Sequence, residues 1–486
     1  MEDNLRDAAP LVPLVVDLDG TLCRSDTFHE ALVGLIATYP LALLSAPRHL
    51  MRGKAALKRH VADHLVVDAT SLPYDPAVIA LIAAARAAGR TTALVSAADH
   101  RQVEAVADHL GCFDQAIGTG SPEAAGENLG GAAKARFLEA TFGEQGFDYV
   151  GDSRPDLPVW SVARKALAVR PSGALRDGAK QRGVALTAVA GTERGGLAPL
   201  IRAMRPHQWA KNLLVFVPAL AAHQPGAFWP AVLALVCFSL VASGVYLVND
   251  LVDLPADRAH PRKRLRPFAS GALAVSGGVL AAGVLFLAGV ALALALLPPA
   301  FSGVLLLYVV ATFAYSFWLK RKMMVDVIGL AGLYTLRIIG GGAATEIVLS
   351  PWLLVFSMFV FFTLATVKRL AELEDAVRMG RDSAPGRNLH LIDLPILQGM
   401  AIASGQAAVL VLALYVQDAE VRANYAAPNI LLLVCPVLFF WLSRIQILTR
   451  RGHMSDDPLV FALRDRVSLL SGILMLALGF LAFRGI

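Results

Sequence analysis

Cysteine is scarce in this chain of 486 residues: there are 4, namely Cys23, Cys112, Cys237 and Cys435. Their spacing fits no metal-ligand pattern and is too scattered for a disulfide framework. That scarcity suits a reducing compartment. The chain has no internal repeat and no RNA- or DNA-binding motif. Its opening MEDNLRDAAP is polar and acidic, unlike a secretory signal. The formal charge of +6 therefore reads as membrane topology and phosphate handling, with no nucleic acid as partner.

Long apolar runs are missing from the first 200 or so residues and dominate the rest. This divides the chain into a soluble domain, 1–195, and an all-α polytopic membrane bundle, 196–486. About nine runs approach or exceed the roughly 20 residues that cross a bilayer. They are 206–224, 228–249, 272–297, 300–319, 325–345, 351–370, 395–416, 428–446 and 467–483. The first is the weakest, since its strongly apolar part is only 213–222. Basic residues crowd alternate loops, at 258–266, 320–322, 368–387 and 444–466, whereas the opposite loops hold only Arg422. By the positive-inside rule the rich side is cytoplasmic. The expected location is a cell inner membrane, with the N-terminal domain in the cytoplasm and the C-terminus outside.

Within 1–195, short apolar runs at 11–18, 91–96, 113–118, 147–152 and 166–169 alternate with helical patterns such as 76–88 and 99–110. Alternation of this kind predicts a Rossmann-like α/β domain with a parallel sheet covered on both faces. Polar groups gather where such sheets place ligands, at the strand ends. Asp17 and Asp19 end the first run, and Ser96 ends the second. Lys134 follows a glycine-rich stretch, Gly126 to Gly131. Asp152 ends a later run, with Asp156 four residues on.

This set, DxDGT, Ser, Lys and GDxxxD in order, resembles the haloacid-dehalogenase-like phosphatase superfamily over about 11–190. The resemblance implies that Asp17 is a nucleophile forming an aspartyl-phosphate. Asp19 would protonate the leaving alkoxide and then activate water. Ser96 and Lys134 would neutralise the phosphoryl oxygens. Asp152 and Asp156, with Asp17 and Asp19, would hold Mg²⁺. Residues 24–75, basic at Arg48, Arg52, Lys54, Lys58 and Arg59, resemble the family's small helical cap. Their run 31–44 is too short to span a membrane, although it could dock on one.

In the membrane region, Asn249, Asp250, Asp253 and Asp257 close the second run at near-helical spacing. Acidic oxygens at a membrane boundary suit Mg²⁺ shared with substrate phosphates. Other polar clusters lie on the same side of the membrane: 205–212, 315–322 with Asp326, and 368–375. They can converge on one cavity. Arg337, near the middle of the fifth run, needs a carboxylate, a carbonyl or a ligand as partner. His207, His260 and His390 read as interfacial.

NDxxDxxxD at 249–257 and YxxxxKR at 315–321 resemble the UbiA superfamily of intramembrane prenyltransferases, over about 200–486. The second aspartate motif departs: Lys368 and Glu372 stand where most members have DxxxD. RPxQWxKN at 205–212, DRxHPxKRxRP at 257–267 and KRxxEL at 368–373 narrow the resemblance to the branch that transfers phosphoribose. That branch implies 5-phosphoribosyl 1-diphosphate as donor and polyprenyl phosphate as acceptor. Asp253, Asp257, Lys368 and Glu372 would then be catalytic. Mg²⁺ would sit on Asn249, Asp250, Asp253 and Asp257, and Lys211, Asn212, Arg266, Tyr315, Lys320 and Arg369 would bind substrate. The alternative is an aromatic polyprenyltransferase beside an unrelated phosphatase or regulatory module. Two sites on one side of the membrane point to consecutive steps, with the hydrolase removing a 5-phosphate.

Overall fold

The computed structural model describes residues 11–124, 127–191, 195–383, 388–454 and 457–485. MEDNLRDAAP, Gly126 and Arg387 fall outside them. The chain forms two compact units, one of Met1–Met204 with Leu247–Ala281, the other of Arg205–Tyr246 with Ala282–Ile486.

The first unit is built on a six-stranded parallel sheet: β1 (Leu14–Val16), β2 (Thr92–Asp99), β3 (Gln115–Thr119), β4 (Asp148–Gly151), β5 (Lys165–Val169) and β6 (Leu186–Val189), in the order β3-β2-β1-β4-β5-β6. β1 is central and wholly buried, as a strand covered on both faces must be, and its residues are accordingly all apolar. β6 has no counterpart among the five apolar runs. It is a half-exposed edge strand of four residues within the apolar stretch 184–190. Between β1 and β2 the cap helices Thr27–Thr38, Ala46–Met51 and Lys54–His64 interrupt the sheet. Asp26 caps the first of them, accepting from the His29 backbone N–H.

Among the described residues eight helices are long and apolar enough to cross a membrane. They contain Phe228–Val252, Val275–Leu296, Pro299–Phe317, Val325–Thr345, Pro351–Arg378, Leu394–Gln417, Val434–Arg450 and Arg466–Arg484. The weakest run, 206–224, folds differently. It forms a 3₁₀ helix, Pro206–Phe216, and then a short α-helix, Val217–Ala221. Prolines 206 and 218 open the two pieces. At 2.0 and 1.5 Å rise per residue neither piece alone reaches the roughly 30 Å of a hydrocarbon core. The segment packs tightly on Val325–Thr345: a Cβ at Gly341 would lie 2.2 Å from the Val215 carbonyl oxygen. Val327, Leu330, Tyr334, Phe361, Leu364 and Leu370 fill the core between that helix and Pro351–Arg378.

Candidate active sites

β1 delivers Asp17 to the carboxyl edge of the sheet. There Asp17 Oδ1 accepts from the Lys134 ammonium at 2.7 Å, and Lys134 also donates to the Tyr149 hydroxyl at 2.9 Å. Tyr149 donates in turn to Asp156 Oδ1 at 2.8 Å. The other Asp156 oxygen accepts from the Asp152 and Ser153 backbone N–H groups, both at 3.1 Å. Ligand atoms of Asp17, Asp152 and Asp156 lie within 4.8 Å of one another. Among the described residues no other trio of His, Cys, Asp or Glu gathers ligand atoms so closely. An all-oxygen, acidic set of this kind fits Mg²⁺.

The turn between Asp17 and Asp152 requires glycine. Gly20 has φ +80°, and a Cβ there would meet Asp152 Oδ2 at 2.3 Å. Its carbonyl accepts from Arg170 at 2.6 Å, and Arg170 is held by the buried Asp75 at 2.5 Å. Sequence reasoning gave neither residue a role. Asp19 lies outside the metal trio and accepts from the Thr27 backbone N–H and hydroxyl at 2.7 and 2.8 Å, tying the turn to the first cap helix. Burial, with Asp26 adding to it, pushes the Asp19 carboxyl up to about 8. In that state it carries a proton at neutral pH, as a general acid must. Burial also raises Asp17, with Lys134 opposing. Ser96 is wholly buried in β2, and its hydroxyl accepts from the Ala98 backbone N–H at 3.3 Å. From the cap, Lys58 donates to the Ala97 carbonyl at 2.5 Å and to Asn128 at 3.0 Å.

The first acidic motif of the membrane region falls in this same unit. Asn249 and Asp250 lie in Phe228–Val252, and Asp257 in the short helix Leu254–Arg258, which Asp253 immediately precedes. Asp250 and Asp257 are buried and share the Arg266 guanidinium, at 3.3 and 2.6 Å. Arg266 therefore stands among the acids as their counter-charge. Arg258, within the same motif, forms a two-pronged ion pair with Glu30 of the cap, at 2.8 and 2.5 Å, both side chains buried.

The second unit holds a cavity of about 250 Å³ lined by Arg205, Gln208, Lys211, Tyr246, Lys368, Glu372, Asp375 and Asp457. Among the residues lining it is Asp457, which sequence reasoning missed. Asp457 Oδ2 accepts from Lys211 at 2.7 Å and Lys368 at 3.0 Å, and the Tyr334 hydroxyl donates to the same carboxylate at 2.8 Å. Burial alone would raise this carboxyl, but Lys368 and Lys211 hold it far below the usual range. The available signal was an Asp-Pro pair opening the helix Pro458–Ala462.

Two buried networks back this cavity. Asn212 donates to Ser239 at 3.0 Å and accepts from Arg337 at 2.8 Å. Arg337 also donates to the Leu333 carbonyl at 2.5 Å and the Tyr308 hydroxyl at 2.9 Å. Its partners are thus an amide, a carbonyl and a phenol, with no carboxylate in ion-pair range among the described residues. Arg369 is fully buried and pairs with Asp326 and Glu372, each at 2.6 Å, and with Tyr315 at 2.5 Å. Arg369 and Tyr315 are thereby joined in a network that fixes Glu372. Lys320 sits in the 3₁₀ turn Leu319–Arg321. A second, apolar cavity of about 830 Å³ is lined by Ile328, Met358, Phe359, Phe362 and Met400.

Residues 14–161 match the haloacid dehalogenase-like hydrolase family, and residues 212–481 match the UbiA prenyltransferase family. The uncharacterized protein y4nM of Sinorhizobium fredii is 36% identical over 96% of this chain and 90% of its own length. The nodulation protein NoeC of Azorhizobium caulinodans is 38% identical over 57% of this chain and 90% of its own. A decaprenyl-phosphate phosphoribosyltransferase of Mycobacterium tuberculosis is 34% identical over 60% of this chain and 94% of its own. The chain is a multi-pass membrane enzyme that belongs to the UbiA prenyltransferase family and carries a haloacid dehalogenase-like hydrolase domain ahead of its membrane bundle.

Proposed function

We propose that the membrane domain transfers 5-phosphoribose from 5-phosphoribosyl 1-diphosphate to a polyprenyl phosphate at the cytoplasmic side of an inner membrane. The observation that carries this is the pairing of Lys211 and Lys368 at one polar cavity, beside Arg205. Both substrates of this reaction carry phosphate, whereas in the aromatic alternative only the donor does and the acceptor brings a single carboxylate. The similarity to a decaprenyl-phosphate phosphoribosyltransferase over 94% of that protein supports the same reading. The apolar cavity offers a wall against which a polyprenyl chain can lie.

In the reaction an oxygen of the lipid phosphate bonds to the anomeric carbon, and the bond from that carbon to diphosphate breaks. The acceptor is already ionised, so no base is needed to activate it. Lys211 and Lys368 bind phosphate as point charges. Glu372, fixed by Arg369, borders the cavity and holds a carboxylate there. Asn249, Asp250, Asp253 and Asp257 offer the oxygen ligands that Mg²⁺ prefers. When bound, Mg²⁺ would neutralise the diphosphate leaving group.

The hydrolase domain then removes the 5-phosphate, leaving polyprenylphosphoryl ribose, from which inversion at C2 would give an arabinose donor for the cell envelope. Asp17 attacks phosphorus, Lys134 neutralises the phosphoryl oxygens, and the protonated Asp19 supplies the proton to the leaving alkoxide. Asp19, now ionised, takes a proton from water, which attacks the aspartyl-phosphate, releases inorganic phosphate and frees Asp17. Tethering both sites on one chain raises the local concentration of the intermediate. The test is to incubate the purified chain with labelled 5-phosphoribosyl 1-diphosphate and polyprenyl phosphate, and separately with a polyprenyl diphosphate and 4-hydroxybenzoate. Label entering the lipid supports the proposal. Prenylation of the benzoate with no label in lipid refutes it.

A further inference from the structure

The stretch 31–62 of the cap contains no aspartate or glutamate, yet it holds Arg48, Arg52, Lys54, Lys58 and Arg59. Its tip is apolar and uncovered. The chain turns through 120° between Thr27–Thr38 and Pro40–Met51. There Leu41 and Leu44 are each 79% exposed and Met51 is 82% exposed, with Tyr39 and Leu50 about half exposed. These are not leftovers of a loose core. Leu35 and Val61 are buried beneath the tip, with Leu43 and Leu57 packed on them. The tip is also braced: His60 Nε2 lies 3.0 Å from both the Ser45 hydroxyl and the Ala42 carbonyl. The basic residues beside it are open to solvent, and Arg48, Arg52 and Lys54 have no carboxylate in ion-pair range among the described residues.

An uncovered apolar tip, rimmed by unpaired cations and free of acids, is the composition of a segment that lies in a bilayer interface. It is too short to span one. The cations are complementary to an anionic lipid surface, and the membrane bundle on the same chain keeps a bilayer permanently within reach. We propose that the cap tip, residues 39–54, seats in the interface of an anionic membrane, so that the hydrolase domain works against the lipid surface. This rests on 24–75 being the cap of that domain, and not on which phosphate the domain removes.

The test uses the full chain in lipid nanodiscs, with Cys112 and Cys435 replaced by serine and a nitroxide at Leu44→Cys. A second label at the exposed Lys180→Cys serves as the aqueous reference. With phosphatidylglycerol present, collisions of the residue-44 label with oxygen should exceed those with a water-soluble nickel chelate, and the order should reverse at residue 180. Replacing Arg48, Arg52 and Lys54 together by glutamine, or omitting the anionic lipid, should shift residue 44 toward the aqueous pattern. An aqueous pattern at residue 44 in every lipid overturns the proposal. Equal seating in neutral and anionic discs overturns its electrostatic half. Dipolar broadening between two labelled copies would assign the face to self-association instead. Unchanged thermal unfolding of the labelled chain guards against misfolding as the cause.

Discussion

The Lys211 ammonium donates to the Asp457 carboxylate at 2.7 Å across 246 residues of chain. With Lys368 on the same oxygen, one acid holds two cations that would otherwise repel each other in a buried place. The carboxylate keeps the lysines charged and positioned while no phosphate is bound.

Asp457→Ala should therefore destabilise the bundle by about 3 kcal/mol, since removing one partner strands a buried charge. Thermal unfolding in detergent should fall by several degrees. Asp457→Asn retains the shape but loses the charge, and should unfold between the native chain and the alanine variant. A midpoint unchanged in both variants would mean that Asp457 does not hold the two lysines.

Gly20→Ala should abolish hydrolysis of a phosphate monoester with little effect on folding of the bundle. The added methyl collides with Asp152 at a backbone conformation that disfavours any side chain. Chelating divalent metal should stop the native hydrolase in the same way, with activity returning on adding Mg²⁺. Hydrolysis that survives both treatments would rule out the Asp17, Asp152 and Asp156 trio as the site.

Most of the hydrolase site was legible because its residues end strands, and apolar runs locate strands. Asp17, Asp152 and Asp156 were each placed by a run that precedes them, and Lys134 by the glycines before its helix. β6 was legible too, in the apolar stretch 184–190, and its omission was an oversight of the sequence reasoning and not a silence of the sequence. Asp457 escaped because its partners are 246 and 89 residues away, and pairing at that range leaves no local pattern. The 3₁₀ helix at 206–216 escaped for another reason. Apolar content measures how much chain a membrane accepts, and says nothing of the rise per residue.

Impermeant thiol reagents should label single cysteines near Gln224, Pro298 and Asp418 from the outside, and those near Arg262 and Arg381 only from the inside. This follows from the bias of lysine and arginine toward alternate loops. The reverse pattern would move both sites to the other compartment, away from a cytoplasmic sugar diphosphate.

Asp253→Ala should stop lipid labelling by 5-phosphoribosyl 1-diphosphate while leaving hydrolysis of a soluble phosphate ester intact. Equal loss of both activities would point to unfolding. Normal lipid labelling would remove the acidic motif from the transferase site.

The most direct measurement is the mass of the lipid product made by the native chain and by Asp17→Asn from the same two substrates. The native chain should yield polyprenylphosphoryl ribose and release inorganic phosphate. The variant, lacking its nucleophile, should lose orders of magnitude in hydrolysis and accumulate the lipid that still carries the 5-phosphate. If the native chain also stops at the phosphorylated lipid, the two domains do not act in sequence. If neither chain transfers ribose to the lipid, the transferase assignment itself is contradicted.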